Sequence, residues 1–395
     1  MPDDKFKFVI VGGGTAGWLT ALYIRKNWPV CSVTVVASSE LGILGAGEGT
    51  TPYFIEFLKE VDIDPDSVIL NAKGTIKNGI RFSNWHGDET YYEHTFKVLG
   101  PDRYAFHLDA SLLAKYLESV ALSRGVNLID DEVVNINSRK EKITSIDLKS
   151  SQVVDTDFVF DCSGFRRLII GEFYKSPWQS YSSSMPVNRA IPFFLPNDNN
   201  NLPDYTESIA MKAGWIWKIP VQGRYGCGYV FDSTQITDEQ ARTEIRDYIG
   251  HDFTSPKTFN FEAGTYKYSW IGNCLAVGLS AGFIEPLEAT SIHMQIVTLN
   301  LFKQVFGSSI GSYKLNSDLR ELNNDVVSFL YLHYMTDRKD TDFWTKFKEN
   351  NMPEKVKNLL STNDISKFYS SHNFNVWPLE SWQTICSGIG LKLTH

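Results

Sequence analysis

The chain has 395 residues, 43% apolar and 21% charged, with a net charge of −8 and a pI near 5.6. That length fits one large domain or two to three coupled ones with a sizeable core, and the composition excludes global disorder. The acidic balance, with no dense Lys/Arg run, excludes a polyanion-binding surface, and no apolar stretch is long enough to span a membrane.

Five scattered cysteines (Cys31, Cys162, Cys227, Cys274 and Cys386) form no CxxC pair, and Met1-Pro-Asp-Asp-Lys5 lacks the form of a signal peptide. Both features predict a cytoplasmic protein in a reducing compartment.

Phe6 to Val11 is a short β-branched run ending in glycines, which predicts a buried parallel strand. Thr15 to Trp28 has helical spacing, with Trp18, Leu19, Leu22 and Tyr23 on one stripe before Pro29 stops it. Ser32 to Ala37 is the next strand, and the β-turn-α-β order predicts an α/β fold with a parallel sheet. Residues 52–85 read as mostly helical, 86–100 as short antiparallel strands, and His107 to Leu122 as a helix. Asn127–Asp130, Ile143–Leu148 and Asp157–Asp161 read as strands, and residues 180–265 as alternating strands and loops. Cys274–Gly278 reads as one more strand and Ala289–Phe306 as a helix, and helical signals dominate from about Ser312.

Gly12-Gly-Gly14-Thr15-Ala16-Gly17 fits GxGxxG between a strand and a helix. Gly12 permits the tight turn, Gly14 lets backbone approach a pyrophosphate, and Gly17 lets helix and strand pack closely, while the helix N-terminus offers N–H groups to the phosphates. The acidic residue that usually ends the second strand is absent, because this strand ends Val36-Ala37-Ser38-Ser39-Glu40. Glu40 from a displaced position, or Ser38 and Ser39, would meet the ribose. A flavin nucleotide held at many other points tolerates that better than exchangeable NAD does, which favours FAD.

Four more segments make the chain resemble the flavin-dependent halogenases of the tryptophan-halogenase type. Gly45-Ala46-Gly47-Glu48-Gly-Thr-Thr-Pro52 resembles a GxGE-x-T-x-P segment near the flavin, and Lys77-Asn-Gly-Ile-Arg-Phe-Ser-Asn84-Trp85 resembles the segment that carries the essential lysine. Trp215-Ile-Trp217-Lys-Ile219-Pro220 matches WxWxIP in full, and Gly282-Phe-Ile-Glu-Pro286-Leu-Glu288-Ala-Thr290 resembles GF-x-x-PLEST. Asp161-Cys-Ser-Gly-Phe165, Tyr104-Ala-Phe-His-Leu-Asp109, Leu332-His-Tyr334 and Asp342-Phe-Trp344 are supporting matches.

The resemblance implies an FAD-binding Rossmann-like core of the glutathione-reductase and flavin-monooxygenase type over residues 1–310, with inserted strands at about 180–265. A mostly helical substrate-side region over 311–395 would pack on that core. It implies an oxidoreductase in which reduced FAD and O2 oxidise a halide ion (chloride, bromide or iodide) to hypohalous acid. Lys77 would guide that acid, as ammonium or as amine, to an electron-rich indole- or phenol-like ring for electrophilic halogenation, and Lys73 is its nearest competitor. Glu288 would orient the electrophile or accept the ring proton, and Glu285, three residues earlier, is the residue it could be confused with.

Ser39, Ala46, Gly47, Leu279 and Ile292 would join the glycine loop in holding the cofactor. Backbone N–H groups of Thr290 and Ser291 would bind halide at the helix start. There the chain departs from the family, since Ala289 replaces a serine and Ser291 a glycine. Trp215 and Trp217, two apart on a strand, would face the same way as a partition between flavin and substrate.

The histidines His86, His94, His107, His293 and His333 show no metal-ligand spacing and read as structural, so no metal site is expected. Partners implied are a small aromatic substrate and a separate flavin reductase delivering FADH2, with no nucleic acid and no membrane; homo-oligomerisation stays open. Only thirteen residues follow Trp382, which predicts a more open substrate site than the family's tryptophan pocket. The alternatives are an FAD-dependent aromatic monooxygenase, or a flavin-binding protein without catalysis.

Overall fold

The Lys7–Val11 strand lies inside a six-stranded sheet of a computed structural model, which describes residues 5–41, 48–255 and 257–394. In order, that sheet contains Trp270–Ile271, Cys274–Ala276, Phe158–Asp161, Lys7–Val11, Ser32–Ala37 and Asn127–Asp130, and only the first edge strand is antiparallel. Phe8 and Ile10 enter one hydrophobic cluster and Val9 and Val11 another, so both faces of this strand are buried. That explains its unbroken apolar run. The helix Thr15–Asn27 follows as predicted, and its residues Trp18, Leu19, Leu22 and Tyr23 are fully buried.

A second sheet of seven strands carries the inserted region. Its order is Phe259–Asn260, Arg189–Pro196, Arg224–Phe231, Gly214–Val221, Tyr205–Ala210, Gly79–Ser83 and Tyr91–Thr95. One face presents Ile80, Phe82, Trp215, Trp217 and Ile219 to a cluster completed by Phe329, Leu330, Trp377 and Trp382 of the C-terminal helices. The other face, with Ile216 and Tyr229, packs against Ala241 and Ile245 of the helix Asp238–Ile249.

Three predicted elements are corrected. Residues 52–85 form the helices Pro52–Glu60 and Pro65–Asn71, but then the strands Thr75–Lys77 and Gly79–Ser83. Ile80 and Phe82 alternate with polar neighbours at the strand period of two, and the segment pairs on both sides, parallel to Tyr205–Ala210 and antiparallel to Tyr91–Thr95. His107 belongs to the strand Ala105–Leu108, and the next helix starts only at Ala110, where the Asp109 carboxylate accepts from the N–H groups of Ser111 and Leu112. The helix Asp238–Ile249 inside the predicted strand region starts with a reciprocal Thr237–Gln240 capping box and ends at Gly250, a signal present in the sequence.

Among the described residues, no helix is long and apolar enough to cross a membrane. All five cysteines are buried free thiols.

Candidate active site

The glycine loop closes the first strand onto the first helix. Gly12 has φ +119°, and a Cβ there would lie 2.2 Å from the Cys162 carbonyl oxygen; one on Gly17 would lie 1.9 Å from the Gly12 carbonyl oxygen. Over Gly14, by contrast, there is open space, with nothing within 4 Å of an added Cβ. Gly14 is also the N-cap of Thr15–Asn27, and no side chain caps that helix. Uncapped N–H groups below an open backbone fit a pyrophosphate.

Gly278 packs onto Ala16, whose carbonyl accepts from Thr20 Oγ1 (2.7 Å) and Gln295 Nε2 (3.0 Å). This joins the loop to the half-buried turn residue Leu279 and to the helix Thr290–Val305, which carries the buried Ile292. Ala46 and Gly47 lie outside the described residues. Just after them, Glu48 holds a buried carboxyl oxygen with no hydrogen-bond partner, and burial pushes the group up to about 7. An orphaned buried oxygen fits a group still to be bound. Ser39 is exposed and donates its N–H to Asp130 Oδ1 (2.8 Å), while exposed Glu40 lies 3.6 Å from Lys149 Nζ.

Lys77 ends a strand paired with Ala105–Leu108, and that pairing turns its side chain inward until only 1% is exposed. Its Nζ donates to the Thr50 carbonyl (3.1 Å) and lies 5.5 Å from the Phe96 ring centre. Gly49 leaves room for it, since a Cβ there would sit 3.1 Å from Nζ and 3.8 Å from Ala289 Cβ. Burial lowers the ammonium from 10.5 to about 8, opposed by the charge of Glu288. Lys73, the competitor, is exposed. His107 is held well below the usual imidazole range, by burial and then by the charge of Lys77. Its neutral ring bridges Thr75 Oγ1 (3.1 Å) and Thr206 Oγ1 (2.9 Å).

Glu288 and Ala289 occupy two successive left-handed positions, φ +64° and +54°, just before the helix Thr290–Val305. Non-glycine residues adopt that conformation at a cost of about 1–2 kcal/mol each, a strain typical of functional turns. The turn buries the Glu288 carboxylate at 3% exposure. His94 Nδ1 lies 3.0 Å from both of its oxygens, and His333 Nε2 lies 3.1 Å from Oε1. Burial alone would raise the carboxyl, but the two imidazoles outweigh it and hold the group well below the usual carboxylate range. Glu285 faces elsewhere: it accepts from the Tyr334 hydroxyl (2.8 Å), and burial pushes it up to about 8.

Trp215 and Trp217 share one face of the second sheet, with ring centres 6.3 Å apart, and Ile216 between them points to the other face. Trp215 Nε1 donates to Tyr334 Oη (3.0 Å), and the Trp217 ring packs on Gly228, where a Cβ would be 2.1 Å from it. Thr290 is buried and Ser291 exposed at the uncapped start of their helix. Both line a cavity of about 60 Å³ together with Gly278, Gly282 and Gln295. The C-terminal residues Trp377 and Trp382 are themselves buried in the cluster that packs on the second sheet.

Residues 7–103 and 98–394 match the family model for tryptophan halogenases. The chain belongs to the tryptophan halogenase family. Tryptophan 7-halogenase RebH of Lentzea aerocolonigenes is 28% identical over 98% of this chain and 89% of its own length. The crystal structure of tryptophan 6-halogenase SttH from Streptomyces toxytricini has a TM-score of 0.92 at 26% identity, covering 99% of this chain and 92% of that one. BrvH, a flavin-dependent halogenase from Brevundimonas sp. BAL3, has a TM-score of 0.90 at 28% identity, covering all of this chain and 91% of its own. This protein is accordingly a flavin-dependent halogenase with the FAD-binding α/β fold expected of it.

In this halogenase the residues missed from sequence are His94, His333, Tyr334 and Ser381. They lie 194, 45, 46 and 93 positions from Glu288, and no local spacing links them to it. The only hint was Leu332-His-Tyr334, visible as a family match without a role. Among the described residues no group of three His, Cys, Asp or Glu side chains is placed to hold a metal ion.

Proposed function

We propose that this halogenase uses Lys77 and Glu288 on opposite sides of one buried site to halogenate a small electron-rich aromatic ring of indole or phenol type. FAD, when bound in reduced form along the glycine loop, supplies the electrons with which O2 oxidises halide to hypohalous acid. Gly12, Gly14, Thr15, Ala16 and Gly17 hold its phosphates, and Ser39, Ala46, Gly47, Leu279 and Ile292 complete the cradle. Thr290 and Ser291 offer N–H groups to the halide. Trp215 and Trp217 keep the aromatic substrate away from the flavin, which disfavours direct hydroxylation.

The Lys77 amine hydrogen-bonds the hypohalous acid and aims its halogen at the ring, and Glu288 takes the ring proton as aromaticity returns. The observation that carries this reading is the placement of the Lys77 Nζ, buried, donating to the Thr50 carbonyl and near enough to Glu288 for their charges to interact. FADH2 arrives from a separate reductase, residues 1–310 form the cofactor core, and 311–395 the helical region over the substrate. Five buried free thiols fit a reducing, cytoplasmic setting.

The test is incubation with FADH2, O2, each of chloride, bromide and iodide, and a panel of indoles and phenols, beside Lys77→Ala. Halogenated product from the wild type that is lost in the variant, with FADH2 oxidation retained, supports the reading. Undiminished product from Lys77→Ala overturns the role of the lysine.

A further inference from the structure

The proton count around Glu288 is unusual. The Phe329 carbonyl can only accept, so His333 Nδ1, 2.8 Å away, must carry a hydrogen. The other ring nitrogen faces Glu288 Oε1 at 3.1 Å, and a hydrogen bond there needs a second proton. If that proton were absent, two lone pairs would face each other at full burial, a costly contact. His94 makes no such demand: as a neutral ring it donates from Nδ1 to Glu288 and accepts at Nε2 from Ser381 Oγ, 2.8 Å away. One proton beyond the two neutral rings therefore belongs to the Glu288–His333 contact.

The surroundings keep it there. His333 is fully buried, with Phe82 and Phe329 both 5.0 Å from its ring centre, and Trp377 and Trp382 close over Phe329. The charged or titratable groups facing Glu288 come from three other segments: Lys77 on its strand, Tyr92 and His94 on Tyr91–Thr95, and His333 on Gly311–His333.

We propose that His333 is a positioning residue for halogenation, holding one shared proton with Glu288 so that the carboxylate is kept ionised, fixed in place and less occupied at Oε2. Oε1 takes hydrogen bonds from both histidines and Oε2 from His94 alone, which makes Oε2 the oxygen open to the ring proton. This rests on the role proposed above for Glu288.

Two measurements test it separately. With 15N-labelled histidine, the wild type at pH 7.5 is expected to show one ring protonated at both nitrogens, and Glu288→Gln to return it to a neutral ring. A histidine spectrum unchanged by Glu288→Gln overturns the shared proton, whether or not the enzyme halogenates. In turnover, His333→Gln is expected to lower kcat about tenfold with KM within about twofold, and the Glu288→Gln/His333→Gln double variant to lose no more than Glu288→Gln alone. Losses that multiply in the double variant, in proteins that still bind FAD, overturn the positioning role.

Discussion

Tyr334 joins the paired tryptophans to the turn that carries Glu285 and Glu288: its hydroxyl accepts from Trp215 Nε1 at 3.0 Å and donates to Glu285 Oε2 at 2.8 Å. One residue earlier on the same helix end, His333 reaches Glu288. The end of a single helix thus braces two glutamates three positions apart, one ionised and one raised.

Glu285 should tie stability to pH. Burial raises it from 4.5 to about 8, so between those values the folded chain binds the proton that the unfolded chain has released, and stability falls as pH rises. Glu285→Gln, which keeps an acceptor for Tyr334, is expected to be more stable than the wild type at pH 8 and to flatten the decline in Tm between pH 5 and 8. Parallel Tm–pH curves for the two proteins would count against a buried neutral acid.

Lys77 should act with the opposite sign. Its fall from 10.5 to about 8 means that the unfolded chain binds more protons over that window, so stability rises with pH there. At pH 7 the buried charge costs on the order of 3 kcal/mol. Lys77→Met is therefore expected to melt higher at pH 7 while halogenated product drops by about 10²-fold or more. Calorimetry and product analysis on one preparation check both halves.

Gly228 should report on the tryptophan wall. A methyl group there would lie 2.1 Å from Trp217, so Gly228→Ala must displace the ring, at about 1–3 kcal/mol of stability. We expect less halogenated product per FADH2 consumed, with more oxidant released to solvent. Product yield and escaped oxidant, titrated together, give the answer.

The glycine loop should separate folding from binding. Gly17→Ala brings Cβ to 1.9 Å from the Gly12 carbonyl oxygen and is expected to lower Tm. Gly14→Ala meets nothing within 4 Å at φ −80°, so it should fold normally and yet bind FAD about tenfold more weakly, because its methyl occupies the phosphate approach. FAD titration and Tm for both variants distinguish the two effects.

Local chemistry made much of this legible in advance. The Lys7–Val11 strand, the loop Gly12–Gly17 and the helix after it follow from side-chain period and glycine placement. Lys77 and Glu288 stood out through the segments around them, but the element carrying Lys77 was misread as helix. Its strand is fixed by hydrogen bonds to Ala105–Leu108, a partner about thirty residues away that no local window contains.

The sequence by itself picked out the dinucleotide turn, the tryptophan pair and the candidate amine and carboxylate, because each depends on a few adjacent residues. Only the tertiary structure decided their charge states. Burial of Lys77, and the meeting of Glu288 with His94 from a strand and His333 from a helix, set the protonation on which the proposed chemistry depends. Desolvation and hydrogen bonding act through distance in space, and distance in space is what a linear chain does not record.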